Sequence, residues 1–414
     1  MTVPPIVRVL QAARSRRPDP LWLAAESRVA NERTAVEALL ETDARVYGFS
    51  THLGHLDRFE KDPDADHENA LLNAHLIGPT SALDPDTARL ALACKVEQLT
   101  NGGSGIHPAT FRSLVESIET LSDTPIRGCW LSYGAGDVVP AAWLVNALIR
   151  SERLRLDHPG DVIATINGHF FSTAQALETS LRFAELIGSV LSVMARHGSP
   201  APSSTGWEAD ALVTWQALQP HPMNRGHVQL PLSLRDTEPM ARALLNSLVH
   251  LRTTLAARLS AQSANPLFVA TETGVAAVSQ NSFLDFGLTF ALTEATQSAL
   301  LALGYVQRIT HHTVHLLQSE AREPRQELVQ VPKLVAALIA EAESTLTLAT
   351  DFVGDESEGV EDVRDLSLIQ ARALSTTLVG FCEPGLELLS ALSVEHDTLA
   401  GRKLAVELLL GDAS

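Results

Sequence analysis

Small and acidic residues that could shape a reactive loop lie between Leu131 and Pro140, in the stretch LSYGAGDVVP. The loop-like segment DTPIRG precedes this stretch, and the apolar run AAWLVNALI follows it. Glycines permit backbone conformations that other residues rarely adopt, and Asp137 stands at the mouth of the following helix. The spacing predicts a glycine-rich turn, with a specific backbone geometry, at the start of a helix.

A second group with chemical potential is the histidine cluster in THHTVHLL. His311 and His315 stand four residues apart, on one face of a helix, at a spacing that zinc sites use. No glutamate stands between them as in HExxH, and no third ligand is evident in the sequence. We predict no catalytic metal, and we favour a structural or interface role for these histidines.

The chain is long and acidic. Its 414 residues, 45% of them hydrophobic, can bury a large core. The net charge is −18, and no basic run could follow a phosphate backbone, so we expect no nucleic-acid partner. The sequence shows neither a long apolar run nor a secretion signal, which predicts a cytoplasmic protein with no membrane contact. Cys94, Cys129 and Cys382 are far apart in sequence and odd in number, which gives neither a disulfide framework nor CxxC metal spacing.

Most of the chain carries the period of an amphipathic helix, with apolar residues three and four positions apart. The helical segments are ESRVANERTAVEALLETDARV, DPDTARLALACKVEQLTNG, TAQALETSLRFAELIGSVLSVMARHG, EPMARALLNSLVHLRTTLAARLSAQ, SFLDFGLTFALTEATQSALLALGYVQRI, LVQVPKLVAALIAEAESTLTLATDF and SLIQARALSTTLVGFCEPGLELLSAL. Strand signals are few and short, in GDVIATING and around VQLPLSL. The sequence therefore predicts a mainly α fold.

One predicted helix, SFLDFGLTFALTEATQSALLALGYV, has almost no charge in its middle. Such a helix must be covered on most of its faces by other helices or by other subunits. We therefore expect an elongated helical bundle that completes itself by oligomerising. The expected division is an N-terminal region, residues 1–165, and a bundle with C-terminal helices, residues 166–414, in one continuous core. SPAPSSTGWE and DFVGDESEGVEDVRD fit either a surface loop or a domain boundary.

A series of short motifs runs along the chain from YGFSTHLG, at Tyr47 to Gly54, to VEDVRDLS, at Val360 to Ser367. Between them stand LLNAHLIG, NGGSGIHP, PIRG, LSYGAGDVVP, INGHF, QPHP, VQLPLSLR, SANPL and QNSF. In this order the motifs resemble those of the histidine and aromatic amino acid ammonia-lyases, over nearly the whole chain. The resemblance implies a mainly α homotetramer with a central helical bundle and with active sites built from several subunits.

The triplet Gly134-Ala135-Gly136 departs from that family's pattern. The family cyclises and dehydrates an Ala-Ser-Gly tripeptide into a methylideneimidazolone (MIO), an electrophile whose methylene carbon comes from the serine side chain. Alanine has no β-hydroxyl to eliminate, so we expect no MIO and no other cofactor. A second alignment puts Ser132-Tyr133-Gly134 in this slot, a tripeptide type that cyclises in green fluorescent proteins. An ordinary glycine-rich turn is the favoured interpretation, and neither alignment has a serine in the middle.

The resemblance implies roles for individual residues. Tyr47 stands at the position of the catalytic tyrosine, which acts as a base only if its surroundings lower its pKa from about 10. Asn167 stands at the position of the family's asparagine beside the prosthetic group. Arg235 stands at the position of the family's arginine, which binds a substrate carboxylate through two parallel hydrogen bonds. His75 matches a histidine near the pocket for the substrate side chain. Glu361 matches an acidic residue of the C-terminal motif.

Two further positions keep the family's substrate-binding pattern, at Gln229 and Asn281. Residues that depart from the pattern near these and other site positions are Leu230, Leu232, Ser282 and Val363. The connection between QPHP and VQLPLSLR is also short. These departures predict a more apolar pocket, which could accept a bulkier or less polar substrate or could have lost substrate binding.

Three interpretations of function follow. The first is an MIO-independent lyase or cyclase, which uses Tyr47 as acid or base for elimination, addition or cyclisation. Its substrate would be a small carboxylate-containing or already reactive metabolite of specialised biosynthesis. The second is a non-catalytic homologue that binds a ligand or acts as a scaffold, and the third is a conventional ammonia-lyase for histidine or an aromatic amino acid. Retention of Tyr47, Asn167, Arg235 and Glu361 favours the first interpretation, and Ala135 disfavours the third.

Overall fold

The computed structural model describes residues 3–60, 65–197, 231–235, 237–272, 274–280, 282, 284–345, 352–356, 358, 360–392 and 398–411. Most of these residues are helical, which confirms the predicted mainly α fold. The α-helices are α1 (Pro5–Ser15), α2 (Pro20–Leu40), α3 (Ala65–Ala74), α4 (Pro85–Thr100), α5 (Pro108–Thr120), α6 (Val138–Arg150), α7 (Asp161–Ile166), α8 (Phe170–His197), α9 (Leu232–Arg235), α10 (Glu238–Ser260), α11 (Phe286–Glu320), α12 (Val331–Thr345), α13 (Ser367–Thr377), α14 (Glu383–Ser390) and α15 (Leu399–Leu410). None of the helices in these residues is long and apolar enough to cross a bilayer.

Shorter elements complete the described chain. Two 3₁₀ helices cover Gly54–Arg58 and Gln326–Val329, and a π-helical turn, Leu378–Cys382, joins α13 to α14. Three antiparallel hairpins are formed by β1 (Ser81–Leu83) with β2 (Ile126–Gly128), β3 (Leu267–Thr271) with β4 (Gly274–Val278), and β5 (Val353–Glu356) with β6 (Glu361–Val363). In the β5–β6 hairpin, Val353 is paired with Val363 and Glu356 with Glu361.

The chain divides into two compact units. Unit 1 consists of Met1–Leu177, Leu255–Thr289 and Thr350–Leu368. Unit 2 consists of Glu178–Thr254, Phe290–Ala349 and Ile369–Ser414. Unit 1 is therefore built from three separate pieces of chain.

Helix α4 is the central helix of unit 1, because every residue from Thr87 to Leu99 is buried. Asp84 begins this helix, and its carboxylate accepts the Asp86 N–H. Full burial of a helix that carries polar residues requires partners inside the protein. The carboxylate of Glu97 accepts hydrogen bonds from the Trp22 indole at 2.6 Å and from the Arg8 guanidinium at 2.8 Å.

An apolar cluster of unit 1 supports the loop that carries Tyr47. The buried members of the cluster are Val36, Val46, Phe49, Ile163 and Phe268, and Tyr47 packs against them. The Phe49 ring meets the Phe268 ring edge to face, with centroids 5.1 Å apart. This packing joins the end of α2, α7 and strand β3 beneath one loop.

Unit 2 contains a close approach of two helices. A Cβ added to Gly188 of α8 would collide with the backbone of Gly401 and Arg402 in α15. Beside this contact the Arg402 guanidinium donates a hydrogen bond to Ser189 Oγ at 2.7 Å. Glycine at both positions therefore lets the two helix backbones touch.

The two predicted strand regions are helical where the structure describes them. GDVIATING contains helix α7, and the last residues of VQLPLSL belong to α9, whereas residues 228–230 lie outside the described residues. The Glu68 carboxylate accepts the Gly160 and Val162 N–H groups, at 3.1 and 2.8 Å. A distant acidic side chain thus satisfies donors at the start of α7, which the local sequence pattern could not show.

Candidate functional site

One cavity of about 320 Å³ gathers residues from distant parts of unit 1. Its wall contains four residues predicted as site residues, Tyr47, His75, Asn167 and Glu361. Two residues of the LSYGAGDVVP loop, Ala135 and Gly136, also line it. The described lining residues include one carboxylate, that of Glu361, and no lysine or arginine.

Ends of secondary-structure elements position the predicted residues. Tyr47 lies in the loop after α2, and His75 directly follows α3. Asn167 ends α7, where the backbone changes from helical to extended with φ −81° and ψ 141°. Glu361 is the first residue of β6. Because these side chains lie in a loop or at the ends of elements, all four can line one cavity.

The Tyr47 hydroxyl is part of the cavity wall and is held by the backbone. It accepts a hydrogen bond from the Gly54 N–H at 2.7 Å. Burial raises the pKa of Tyr47 above its usual value, and the carboxylates of Glu361 and Asp57 raise it further, whereas the Gly54 N–H acts in the opposite direction. The phenol is therefore protonated at neutral pH, and the lowered pKa that a tyrosine base requires is not present.

Asn167 presents an acceptor to the cavity. Its side chain is 7% exposed, and its Nδ2 donates to the Asn265 carbonyl oxygen at 3.1 Å. Its Oδ1 atom accepts no hydrogen bond within the described residues. Gly136 leaves room beside that oxygen, because an added Cβ would lie 2.9 Å from it. A bound molecule with an N–H or O–H group could satisfy this buried oxygen.

Lys95 lies behind Asn167 and was not identified from the sequence. Its Nζ donates to the Asn167 carbonyl oxygen at 2.7 Å and lies 5.1 Å from the centre of the Phe170 ring. Burial lowers the pKa of Lys95 to about 7, against a smaller opposing influence of the Asp137 carboxylate. The sequence signal was a lysine inside the apolar helix LALACKV, whose full burial only the structure reveals.

His75 has a defined hydrogen-bond direction. Its Nδ1 lies 2.7 Å from the Leu71 carbonyl oxygen. Because a carbonyl can only accept, the proton of this contact belongs to Nδ1. In the neutral ring, Nε2 is then an acceptor.

The LSYGAGDVVP loop is held tightly from both sides. The Gly134 carbonyl oxygen accepts the Asp365 N–H at 2.7 Å. Gly134 has φ +100°, and a Cβ there would collide with the Asp365 carbonyl oxygen, so glycine is required. Ser132 Oγ accepts the Gly134 N–H and donates to the Gly136 carbonyl oxygen. Gly134 is a structural anchor of the loop and does not line the cavity with Ala135.

Asp137 connects the loop to α8. Its carboxylate accepts the Ser172 N–H at 2.7 Å and the Ser172 hydroxyl at 2.9 Å, and its own N–H donates to the Gly168 carbonyl oxygen at 2.6 Å. It makes no side-chain cap on α6, although it directly precedes that helix. The expected helix-start residue therefore ties two loops together.

A buried ion pair stabilises the same region. Arg258 donates to Asp365 Oδ2 at 2.8 Å, to Ser172 Oγ at 2.9 Å and to Thr173 Oγ1 at 3.0 Å. Both charged side chains are almost fully buried, at 1% and 4% exposure. Asp365 belongs to a motif noted in the sequence, whereas Arg258 was missed because nothing local distinguishes it from a surface arginine on α10.

The other predicted site residues are not brought into this cavity by the described part of the structure. Gln229 and Asn281 lie outside the described residues. Arg235 ends α9 in unit 2, and its side chain is also outside them. His311 and His315 lie on α11, and the described residues contain no group of three metal ligands.

Comparison with known proteins gives a consistent result. Residues 5–180 match the family model described as aromatic amino acid lyase. The chain is 28% identical over 289 residues to the histidine ammonia-lyase of Paracidovorax citrulli (strain AAC00-1). Residues 5–180, less than half of the chain, are thus similar to the aromatic amino acid lyases. The alignment with the Paracidovorax protein covers 59% of this chain and 56% of that protein, so the match spans little more than half of that protein's length.

Solved structures of other proteins have the same fold as this chain. The tyrosine aminomutase from Streptomyces globisporus superimposes with a TM-score of 0.77 at 17% identity, over 99% of this chain and 94% of that one. Ergothionase from Treponema denticola, an ergothioneine-degrading enzyme, superimposes with a TM-score of 0.74 at 12% identity, over 99% and 97% of the two chains. These comparisons confirm the helical fold that the resemblance implied.

Proposed function

We propose that this protein is a lyase-type enzyme that works without MIO. Its substrate is a small carboxylate-containing or already reactive metabolite, and its reaction is an elimination, an addition or a cyclisation. The observation that carries the proposal is the single cavity in which the Tyr47 phenol, the Glu361 carboxylate and the free acceptor of Asn167 meet. A cavity of this size suits a small molecule.

The protonation state of Tyr47 defines its part in the reaction. A protonated phenol donates its proton to a leaving group or to a carbon that accepts one. Glu361 lies close enough for its charge to raise the pKa of Tyr47, so it is positioned to accept a proton from the same bound molecule. We infer that Tyr47 acts first as the acid and that the Glu361 carboxylate acts as the base.

The residues of the loop do not suit formation of MIO. Ring closure at Gly134-Ala135-Gly136 would release one water, but the exocyclic methylene also requires loss of a β-hydroxyl, which Ala135 lacks. The Ser132 hydroxyl cannot substitute for it within this triplet, and its oxygen is hydrogen-bonded across the loop. We therefore derive no step from an electrophile on this loop.

An intact-mass measurement tests this part of the proposal. We expect the purified protein to have the mass of its sequence and no near-ultraviolet or visible absorbance band beyond those of its aromatic side chains. A deficit of one or two waters in a peptide that contains Ala135 would contradict the proposal. The variant Ala135→Ser supplies the missing hydroxyl, and a mass loss of two waters in that variant alone would show that the side chain is what prevents formation of the group.

Turnover separates the catalytic interpretation from the alternatives. Histidine, phenylalanine and tyrosine are not expected to give their acrylates, and production of any acrylate would favour a conventional ammonia-lyase. A panel of small carboxylates is then screened for binding by thermal shift and for conversion by mass spectrometry. Saturable binding without conversion would support the non-catalytic interpretation.

Two variants and one control identify the residues that act on a converted compound. Tyr47→Phe is expected to abolish conversion while the protein still binds the compound, because the change removes the acidic hydroxyl and keeps the ring. Arg235→Ala is expected to weaken binding of the carboxylate. Tyr305→Phe is the matched control, because Tyr305 is buried in unit 2 and its hydroxyl has no partner among the described residues. Full conversion by Tyr47→Phe would refute the role of Tyr47.

We propose that the protein is a homotetramer with active sites shared between subunits, as the resemblance implies. We also propose that it is cytoplasmic and functions in specialised metabolism. Cys94, Cys129 and Cys382 are buried free thiols, which supports a reducing compartment. Light scattering of the purified protein gives the subunit number directly, and a monomer that converts substrate would contradict shared active sites.

A further inference from the structure

Tyr133 contacts the hairpin that carries Glu361. The Tyr133 hydroxyl donates a hydrogen bond to the Glu356 carboxylate and lies 3.2 Å from the Glu361 carbonyl oxygen. Glu356 and Glu361 are paired across the β5–β6 hairpin, so one hydroxyl contacts both members of a cross-strand pair. Tyr133 also lines the cavity beside Tyr47 and Glu361.

The hairpin is shaped to receive this phenol. A Cβ on Gly354 would collide with the Tyr133 hydroxyl, so the glycine provides the space that the hydroxyl occupies. The Arg364 guanidinium lies 5.3 Å from the centre of the Tyr133 ring, at a distance where a cation is attracted to the ring face. Contacts to both the hydroxyl and the ring fix the orientation of the side chain.

The base and the tip of the hairpin are held differently. At the base, the Phe352 ring packs on the Phe286 ring with centroids 5.6 Å apart, and the Arg364 N–H donates to the Phe352 carbonyl oxygen at 3.0 Å. At the tip, two like charges face each other, which destabilises a cross-strand pair. The tip also has an exposed contact of 3.8 Å between Glu358 and His55. The Tyr133 hydroxyl donates to one of these two carboxylates and thereby offsets part of the repulsion at the tip.

We propose that Tyr133 is a positioning residue, whose hydroxyl holds the tip of the β5–β6 hairpin so that Glu361 faces Tyr47 in the cavity. The inference rests on the proposed function only in treating this cavity as the active site. Without the Tyr133 hydroxyl, the hairpin tip opens and the Glu361 carboxylate moves away from the Tyr47 phenol.

Tyr47 itself reports the position of Glu361. Burial is the largest cause of the raised pKa of Tyr47, and the charges of Glu361 and Asp57 add to it. Asp57 belongs to the 3₁₀ helix Gly54–Arg58 and is not held by Tyr133. Movement of the hairpin would therefore remove the Glu361 contribution and leave the Asp57 contribution unchanged.

The experiment uses the full chain with 3-fluorotyrosine in place of tyrosine. The protein has three tyrosines, so its ¹⁹F spectrum contains three signals, each assigned by a single Tyr→Phe variant. The midpoint of the Tyr47 titration is measured in the unchanged sequence, in Tyr133→Phe, in Glu361→Gln and in the double variant. The same set with Asp57→Asn in place of Glu361→Gln is the matched control.

We expect Tyr133→Phe and Glu361→Gln each to lower the midpoint of the Tyr47 titration by about 0.5 pH unit. A close charge commonly shifts a pKa by about 1–3 units, and the effect is smaller here because the cavity is open to water. The double variant should show no further decrease, because both changes remove one and the same charge effect. Asp57→Asn should lower the midpoint by the same amount with or without the Tyr133 hydroxyl. The Tyr305 signal, from unit 2, should stay unchanged and thereby report an intact fold.

Each other result has a distinct meaning. If Glu361→Gln lowers the midpoint and Tyr133→Phe does not, the positioning role is wrong, whereas the proposed site stands. If Glu361→Gln has no effect, Glu361 does not face Tyr47, and both the inference and the proposed pairing of these residues are overturned. If Tyr133→Phe does not fold, Gly354→Ala takes its place, because the added Cβ collides with the Tyr133 hydroxyl and displaces it from the hairpin without changing a charge.

Discussion

Replacing Lys95 by methionine should change how the stability of the protein depends on pH. Lys95 is 3% exposed, and its ammonium group has one hydrogen bond, to the Asn167 carbonyl oxygen, and a contact with the Phe170 ring. Burial lowers its pKa from 10.5 to about 7 in the folded protein. Methionine has a similar length and no charge, so Lys95→Met removes this titration from unit 1.

The sign and the size of the effect follow from proton binding. Between pH 7 and 10.5 the unfolded chain holds a proton on Lys95 that the folded protein has lost, so the free energy of unfolding of the wild type rises with pH across this window. Each pKa unit corresponds to about 1.4 kcal/mol, so the full rise is about 4–5 kcal/mol. Below pH 7 both states are protonated, and this residue contributes no pH dependence.

Urea unfolding followed by circular dichroism, at several pH values from 6 to 10, measures the difference between wild type and variant. We expect this difference to change by about 4 kcal/mol in favour of the wild type as the pH rises from 6.5 to 10. Lys403→Met is the matched control, because the Lys403 side chain is 75% exposed and its difference curve should be flat. A flat curve for Lys95→Met as well would refute the placement of a buried, neutral amine behind Asn167.

Three further predictions concern stability. Arg258→Leu leaves the Asp365 carboxylate buried without its cation and should lower the free energy of unfolding by about 3–5 kcal/mol in urea unfolding; a loss below 1 kcal/mol would contradict the buried pair. Burial raises the pKa of Asp161 to about 7, so the wild type should lose about 4 kcal/mol relative to Asp161→Asn between pH 4 and 7, measured by the same unfolding curves. Gly134→Ala forces a Cβ onto the backbone of Asp365 and should lower the melting temperature. A melting temperature within 1 °C of the wild type would show that this contact does not hold the loop.

The helices were predictable because their signal is local. Apolar residues three and four positions apart identified α4, α8 and α10 with ends close to those observed, whereas α11 continues to Glu320, well beyond the end of its predicted segment at Ile309. Helix α7 was mistaken for a strand, because the Glu68 carboxylate that satisfies its first N–H groups comes from a remote segment. The hairpins were missed for a related reason: each is short, and its stability comes from packing against other elements.

Four residues that line the candidate site could be predicted from the sequence, but their protonation could not. Family-like motifs identified Tyr47, His75, Asn167 and Glu361, which the structure brings to one cavity from four separate segments. The raised pKa of Tyr47 depends on burial and on neighbouring charges, so the sequence could not indicate it. Tyr133 was noted only as part of a tripeptide, because its two acceptors lie more than 200 residues further along the chain.

The discontinuity of unit 1 determines when the site can form during synthesis. Tyr47 lies in the first piece of this unit and Glu361 in the last, more than 300 residues later. At about 5–20 residues per second, a ribosome exposes Tyr47 roughly 15–60 s before it adds Glu361. The nascent chain therefore holds the phenol through more than 300 further residues of synthesis without the carboxylate that will face it. A chain released before residue 350 lacks that wall of the cavity permanently, so the site cannot exist before Glu361 has been translated.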